Sequence, residues 1–127
     1  MLYKKLTRFA MPHSDHPIVT AVKAQVKDQS QPFNMAVHIK IKPVHAAAFE
    51  AAFKICIAAT RKETGCIAYD LNRSSEDASR YINYERWASV PALAAHLAAE
   101  HTVKLLDTVG PLLDGSPEVK VYFFAGE

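Results

Sequence analysis

Two histidines, His96 and His101, follow Glu85 and the chain's only tryptophan, Trp87, within the stretch YERWASVPALAAHLAAEH, residues 84–101. Imidazole titrates near neutral pH and can take a proton from a phenol or an activated C–H. A buried carboxyl such as Glu85 could carry a proton too, or could simply partner a neighbouring arginine or helix histidine. Metal binding is a further possibility, because HLAAEH comes close to an inverted zinc motif, in which the histidines stand four apart. Here they stand five apart. On a continuous helix that separates them by about 140°, whereas zinc needs three or four convergent ligands. No metal site is therefore expected, unless the helix breaks at Ala98 or Ala99. His101 lies in register with Leu97 and Leu93 and would face inward, with His96 at the edge of that face.

The elements that must hold these groups follow from periodicity. In FNMAVHIKIKP, Phe33, Met35, Val37, Ile39 and Ile41 alternate with polar or small residues, which is the pattern of a one-sided strand stopped by Pro43. VHAAAFEAAFKICIAATRKETG places Phe49, Ala52, Phe53, Cys56 and Thr60 on one helical face and ends at Gly65. CIAYDLNRS and SRYINYERW read as two strands joined by a polar turn. Along the second of them Tyr81, Asn83, Glu85 and Trp87 share one face, and Ile82, Tyr84 and Arg86 share the other. Ser89 and Pro91 open a helix, HTVKLLDTVGPLL continues as a second helical piece, and PEVKVYFFA closes as a strand. Two polar groups beside an indole suit a pocket, so Asn83, Trp87 and, on the neighbouring strand, Tyr69 are candidate substrate contacts.

This order, β-α-β twice, predicts an α+β fold of the ferredoxin-like split βαβ type, an antiparallel sheet with helices on one face. The other face would carry Tyr84, Tyr122 and Phe124. A second copy packed there, sheet to sheet, gives a homodimer and a dimeric α/β barrel. The domain is expected over residues 33–127. Residues 1–32, with three prolines and no long period, are expected to be an N-terminal extension. In it PIVTAVKAQV could form a short amphipathic element, but an appendage that adds little to the core is the simpler expectation.

Composition narrows the function classes. The 127 residues carry 15 basic and 13 acidic side chains, with no basic stripe for nucleic acid. The apolar runs are too short to span a bilayer, and the basic start lacks the apolar core of a signal peptide. A soluble, cytoplasmic protein is expected. Cys56 and Cys66 are too few for a disulfide framework and are expected to be free thiols. Only four glycines are present and none forms a phosphate-binding loop, so no flavin or nicotinamide site is expected.

ETGCIAYDL, YINYERWAS and ALAAHLAAEH resemble the antibiotic biosynthesis monooxygenase domains, through Glu63-x-Gly65-Cys66, Glu85-x-Trp87 and the spacing from Trp87 to His96 and His101. The resemblance spans residues 34–124 and implies a ferredoxin-like dimer. Asn83 and Trp87 match an Asn and a Trp of the anthrone oxygenases, while the Tyr and Arg of that subgroup fall on Leu93 and near Asp107. The iron-binding positions of haem-degrading relatives fall near Val37 and Leu106. The quinol-monooxygenase-like members, which carry both helix histidines, are the most similar. The resemblance implies a cofactor-independent monooxygenase with molecular oxygen as co-substrate and a quinol-like or polyketide aromatic as substrate. In that reading His96 or His101 is the base, Asn83 donates to the oxyanion and Trp87 is the stacking wall. The alternatives are an isomerase-like or C–C bond enzyme on a small carbonyl substrate, and a non-catalytic small-molecule binding protein.

Overall fold

The computed structural model describes residues 15–126. Four strands, β1 (Phe33–Lys40), β2 (Cys66–Arg73), β3 (Arg80–Trp87) and β4 (Glu118–Tyr122), form one sheet in the order β2-β3-β1-β4. Every neighbouring pair is antiparallel. Among the described residues four α-helices accompany them: α1 (Pro17–Lys23), α2 (Ala46–Thr60), α3 (Val90–Ala98) and α4 (Glu100–Val109). The split βαβ plan is thus the one the periodicities predict. The sheet is open, however. One chain does not close a barrel, because β2 and β4 are free edges at opposite ends.

Strand parity decides what each face holds. Met35, Val37 and Ile39 of β1 stand beside Glu85, Asn83 and Tyr81 of β3, and on the far side Met35 and Val37 stand beside Val121 and Val119 of β4. This row packs under the helices. Phe49, Phe53, Cys56 and Thr60, one stripe of α2, are buried against it, as helical periodicity requires. The Phe49 ring packs, tilted, against Tyr81 at 4.8 Å, centroid to centroid. The opposite row is Asn34, Ala36 and His38 beside Arg86, Tyr84 and Ile82, and among the described residues no helix packs over it.

The expectation of an unpacked extension fails for its second half. Pro17 sits in the first turn of α1 and His16 caps it, its Nδ1 accepting from the Ile18 amide at 3.1 Å. Val19, Val22 and Val26 are buried in the main core. Just beyond α1, the carbonyl of Gln29 accepts from the Val90 amide at 2.9 Å, tying the segment to the start of α3. The three prolines obscured a valine stripe with the right helical spacing. Residues 1–14 lie outside the described part of the chain. Cys56 and Cys66 are free thiols, as expected. Among the described residues no helix is long and apolar enough to cross a membrane.

Candidate functional site

A cavity of about 370 Å³ lies between the sheet and the helices, within the usual range of small-ligand sites, about 300–1,000 Å³. Its wall is mostly apolar, with Met35, Val37, Phe49, Phe53 and Leu105 prominent, and Pro17, Ile18 and Ala21 of α1 cover part of it. The buried polar lining comes from β2, β3 and the α3–α4 region: Tyr69, Asn83, Glu85, His96 and Thr102, while the exposed Glu118 of β4 lines it too. Of the six residues expected from sequence, four therefore reach the cavity.

Trp87 and His101 do not line it, and this corrects two expectations. Trp87 is fully buried behind the lining. Its ring lies 4.6 Å from the His96 ring, centroid to centroid, and its Nε1 donates to Glu85 Oε1 at 2.9 Å. The indole braces two site residues and is not a wall for a ligand. His101 lies behind His96, its ring 6.0 Å away.

What joins the two histidines is Glu63. His96 Nδ1 is 2.8 Å, and His101 Nε2 2.7 Å, from the same Glu63 Oε2. A carboxylate only accepts, so both imidazoles donate to it. Thr102 Oγ1 is a second neighbour of His96 Nδ1, at 3.2 Å. With Nδ1 occupied, Nε2 is the His96 nitrogen left for a ligand in the cavity. Burial lowers the His96 pKa, against the pull of Glu63, so the ring is neutral near pH 7. A neutral imidazole whose Nδ1–H is held by a carboxylate is a base at Nε2.

This geometry depends on a helix break. Ala99 is extended, at φ −69° and ψ 144°, and separates α3 from α4. The 140° separation expected of an unbroken helix therefore does not apply. Glu63, His96 and His101 bring three ligand-type atoms within 4.8 Å of one another, close enough to share a cation. In the structure they share hydrogen bonds. Glu63 reaches them from the loop before β2 because Gly65 lies against α3. A Cβ on Gly65 would come within 2.3 Å of the Ala92 Cβ, so glycine is required there for close approach.

The second polar group runs along β3. Asn83 Nδ2 donates to Glu85 Oε2 at 3.0 Å, and Trp87 holds the other oxygen. Both donors are neutral and the carboxyl is wholly buried, so desolvation outweighs the two hydrogen bonds and raises the Glu85 pKa to about 7. Because the Asn83 nitrogen is committed to Glu85, the atom left over is Oδ1, buried and without a hydrogen-bond partner among the described residues. Such an unmade bond costs about 1–3 kcal/mol. Asn83 thus offers the cavity an acceptor, contrary to the expectation that it would donate to an oxyanion. Tyr69 completes this end. Its hydroxyl contacts Cys56 Sγ at 3.9 Å, and burial raises its pKa well above the phenol range.

Sequence reasoning missed Thr102 altogether and gave Glu63 no role. Glu63 lies 33 residues from His96 in the chain, and only its place just before the Gly65 close approach could have marked it.

The antibiotic biosynthesis monooxygenase profile matches residues 32–106, more than half of the chain. Rv0793 from Mycobacterium tuberculosis superposes with a TM-score of 0.71, at 29% identity over 76% of this chain and 98% of that one. A Nitrosomonas europaea protein named for the same family gives a TM-score of 0.73, covering 80% of this chain and 97% of that one, and at 22% identity shows the fold alone. Among curated proteins, uncharacterized protein sll1783 of Synechocystis is 28% identical over 100 residues, 79% of this chain and 68% of its own length.

Proposed function

The chain belongs to the antibiotic biosynthesis monooxygenase family, and from that premise we propose that it is a cofactor-independent monooxygenase for a small aromatic substrate, with His96 as the base. The observation that carries the reading is the state of His96. Its ring lines an apolar cavity while its Nδ1 is taken by Glu63. In this reading His96 Nε2 accepts a proton from an anthrone-type or quinol-type substrate. The resulting anion is electron-rich enough to reduce O2 directly. For a CH2 group the net change is to C=O. One oxygen of O2 enters the carbonyl and the other leaves as water with the two hydrogens from carbon, so no external reductant is needed. Glu63 holds the imidazolium that forms, as a carboxylate does in an Asp–His pair. Trp87 and His101 act by position, the first through His96 and Glu85, the second through Glu63.

Oxygen uptake by the purified, chelator-treated protein tests this with a panel of reduced quinones and anthrones. Turnover is expected without flavin, and His96→Ala should lower it roughly 10²–10⁴-fold, the range for losing a general base. Unchanged turnover in His96→Ala would remove the base assignment. No oxygen uptake with any member of the panel would favour an isomerase-like role or simple ligand binding.

The assembly we propose is a homodimer closed across the open sheet face. Tyr122 and Phe124 are each 50% exposed beside that face, and His38 Nε2, on it, is buried without a hydrogen-bond partner among the described residues. Sedimentation equilibrium should give twice the 14.1 kDa chain mass, and a clean monomer would overturn the proposal.

A further inference from the structure

The polar end of the cavity contains a buried acceptor with its orientation fixed by the chain. Asn83 is 2% exposed and its Oδ1 has no hydrogen-bond partner among the described residues. Buried carbonyl oxygens are nearly always paired, so the partner is expected to come from outside the chain. The amide cannot simply turn over. Its Nδ2 donates to Glu85 Oε2 at 3.0 Å, and above about pH 7, where Glu85 is ionised, the reverse orientation would set Oδ1 against a carboxylate. Glu85 is held in its turn by Trp87 Nε1. Residues 83, 85 and 87 share one face of β3, so the pleat of a single strand aligns the whole set. The hydroxyl of Tyr69 lies beside both Cys56 Sγ and the Asn83 side chain, and leaves Oδ1 without a hydrogen bond. His96 likewise offers a lone pair, at Nε2, because Nδ1 donates to Glu63. Around these acceptors the wall is apolar.

We propose that Asn83 Oδ1 accepts a hydrogen bond from a hydroxyl of the ligand, and that the cavity thereby selects hydroxylated aromatics over their O-alkyl counterparts. The proposal deepens the monooxygenase reading and rests on it only in taking this cavity as the substrate site. It narrows the substrate class to phenols and quinols in the protonated state, bound before any proton is removed. Glu85 takes the part of a specificity-setting residue, because its charge fixes which end of the Asn83 amide faces the ligand.

Calorimetric binding of 2-naphthol and 2-methoxynaphthalene at pH 8.5 tests this. The two differ by one hydroxyl hydrogen replaced by methyl, and Glu85 is ionised at that pH. Wild type should bind the naphthol about tenfold more tightly or better. In Asn83→Leu the two affinities should fall within about twofold of each other. Glu85→Gln gives the same reading without touching Asn83. The new amide can donate to Asn83 Oδ1, the Asn83 nitrogen then faces the cavity, and both ligands offer it an oxygen, so the preference should again collapse. Equal binding of the two ligands by wild type, retention of the preference in both variants, or no binding of either ligand would overturn the proposal. Run without oxygen, the calorimetry reads binding alone. Absent oxygen uptake would therefore sink the oxidation reading and leave hydroxyl selection standing, and equal binding would do the reverse.

Discussion

The two faces of β3 use similar side chains and reach opposite states. On the helix side, Asn83 and Trp87 both donate to Glu85, with no cation in the set. Desolvation therefore controls the Glu85 carboxyl, and an amide oxygen is left over. On the open side, Asn34 Oδ1 accepts from both Tyr84 Oη at 3.1 Å and Arg86 Nη1 at 2.8 Å, and the Arg86 guanidinium lies 3.8 Å from the Phe124 ring centroid. Here an asparagine satisfies a charge and the charge is capped by an aromatic ring. The first arrangement stores unmet hydrogen-bonding capacity beside an apolar cavity, which suits a site for a ligand. The second pairs the groups around Arg86 with one another and leaves His38 Nε2 over, on the face proposed to meet a second copy. The difference comes from helix cover together with Arg86, a cation that the covered set lacks.

Three substitutions would break or sharpen this contrast. The largest effect is expected at Glu63. Glu63→Gln keeps the size but loses the charge that holds the His96 imidazolium, so kcat should fall roughly 10²–10⁴-fold with KM little changed. A parallel rise in KM with kcat preserved would mean that Glu63 shapes the cavity only. Next comes Glu85. Its folded pKa, about 7, lies above the ordinary carboxyl value of 4.5, so the folded protein binds this proton more tightly than the unfolded chain does. Its contribution is most favourable below about pH 4.5 and is lost as pH rises through 7, by about 3 kcal/mol in all. Urea midpoints of Glu85→Gln should gain on wild type between pH 5 and pH 8. A constant difference across that range would contradict the assignment. The smallest effect is expected on the open face, where Arg86→Ala should cost about 1 kcal/mol, because it removes a cation–π contact and one of two donors to Asn34. Oxygen uptake or ligand binding altered as severely as by Glu63→Gln would mean that the two faces are not functionally separate.

Much of this was legible in the residues. The alternation along RYINYERW fixes which side chains of β3 travel together, because a strand has only two faces. The stripe through Phe49, Phe53 and Cys56 likewise fixes how α2 meets the sheet. The break at Ala99 was only partly legible, as one of two places where a second helical piece could begin. Three of the four residues at positions 97–100 are Leu or Ala, good helix formers, and no proline or glycine marks the site. The break shows only once Glu63, from a loop more than thirty residues earlier, is seen to gather both histidines. The valines of α1 had the correct spacing, and the neighbouring prolines outweighed them, although Pro17 is itself a helix-start signal. The polarity of Asn83 could not be read either, because which end of an amide is free depends on a partner two residues away whose own charge is set by burial.

The central claim is that His96 presents an unprotonated Nε2 to the cavity while Glu63 holds its Nδ1–H. The most direct measurement is the ¹⁵N spectrum of the His96 ring at pH 8 in ligand-free protein, assigned through His96→Gln. The account predicts a protonated, hydrogen-bonded Nδ1 and an imine-type Nε2, with the Nδ1 signal moving in Glu63→Gln. A proton on Nε2 in wild type would contradict it.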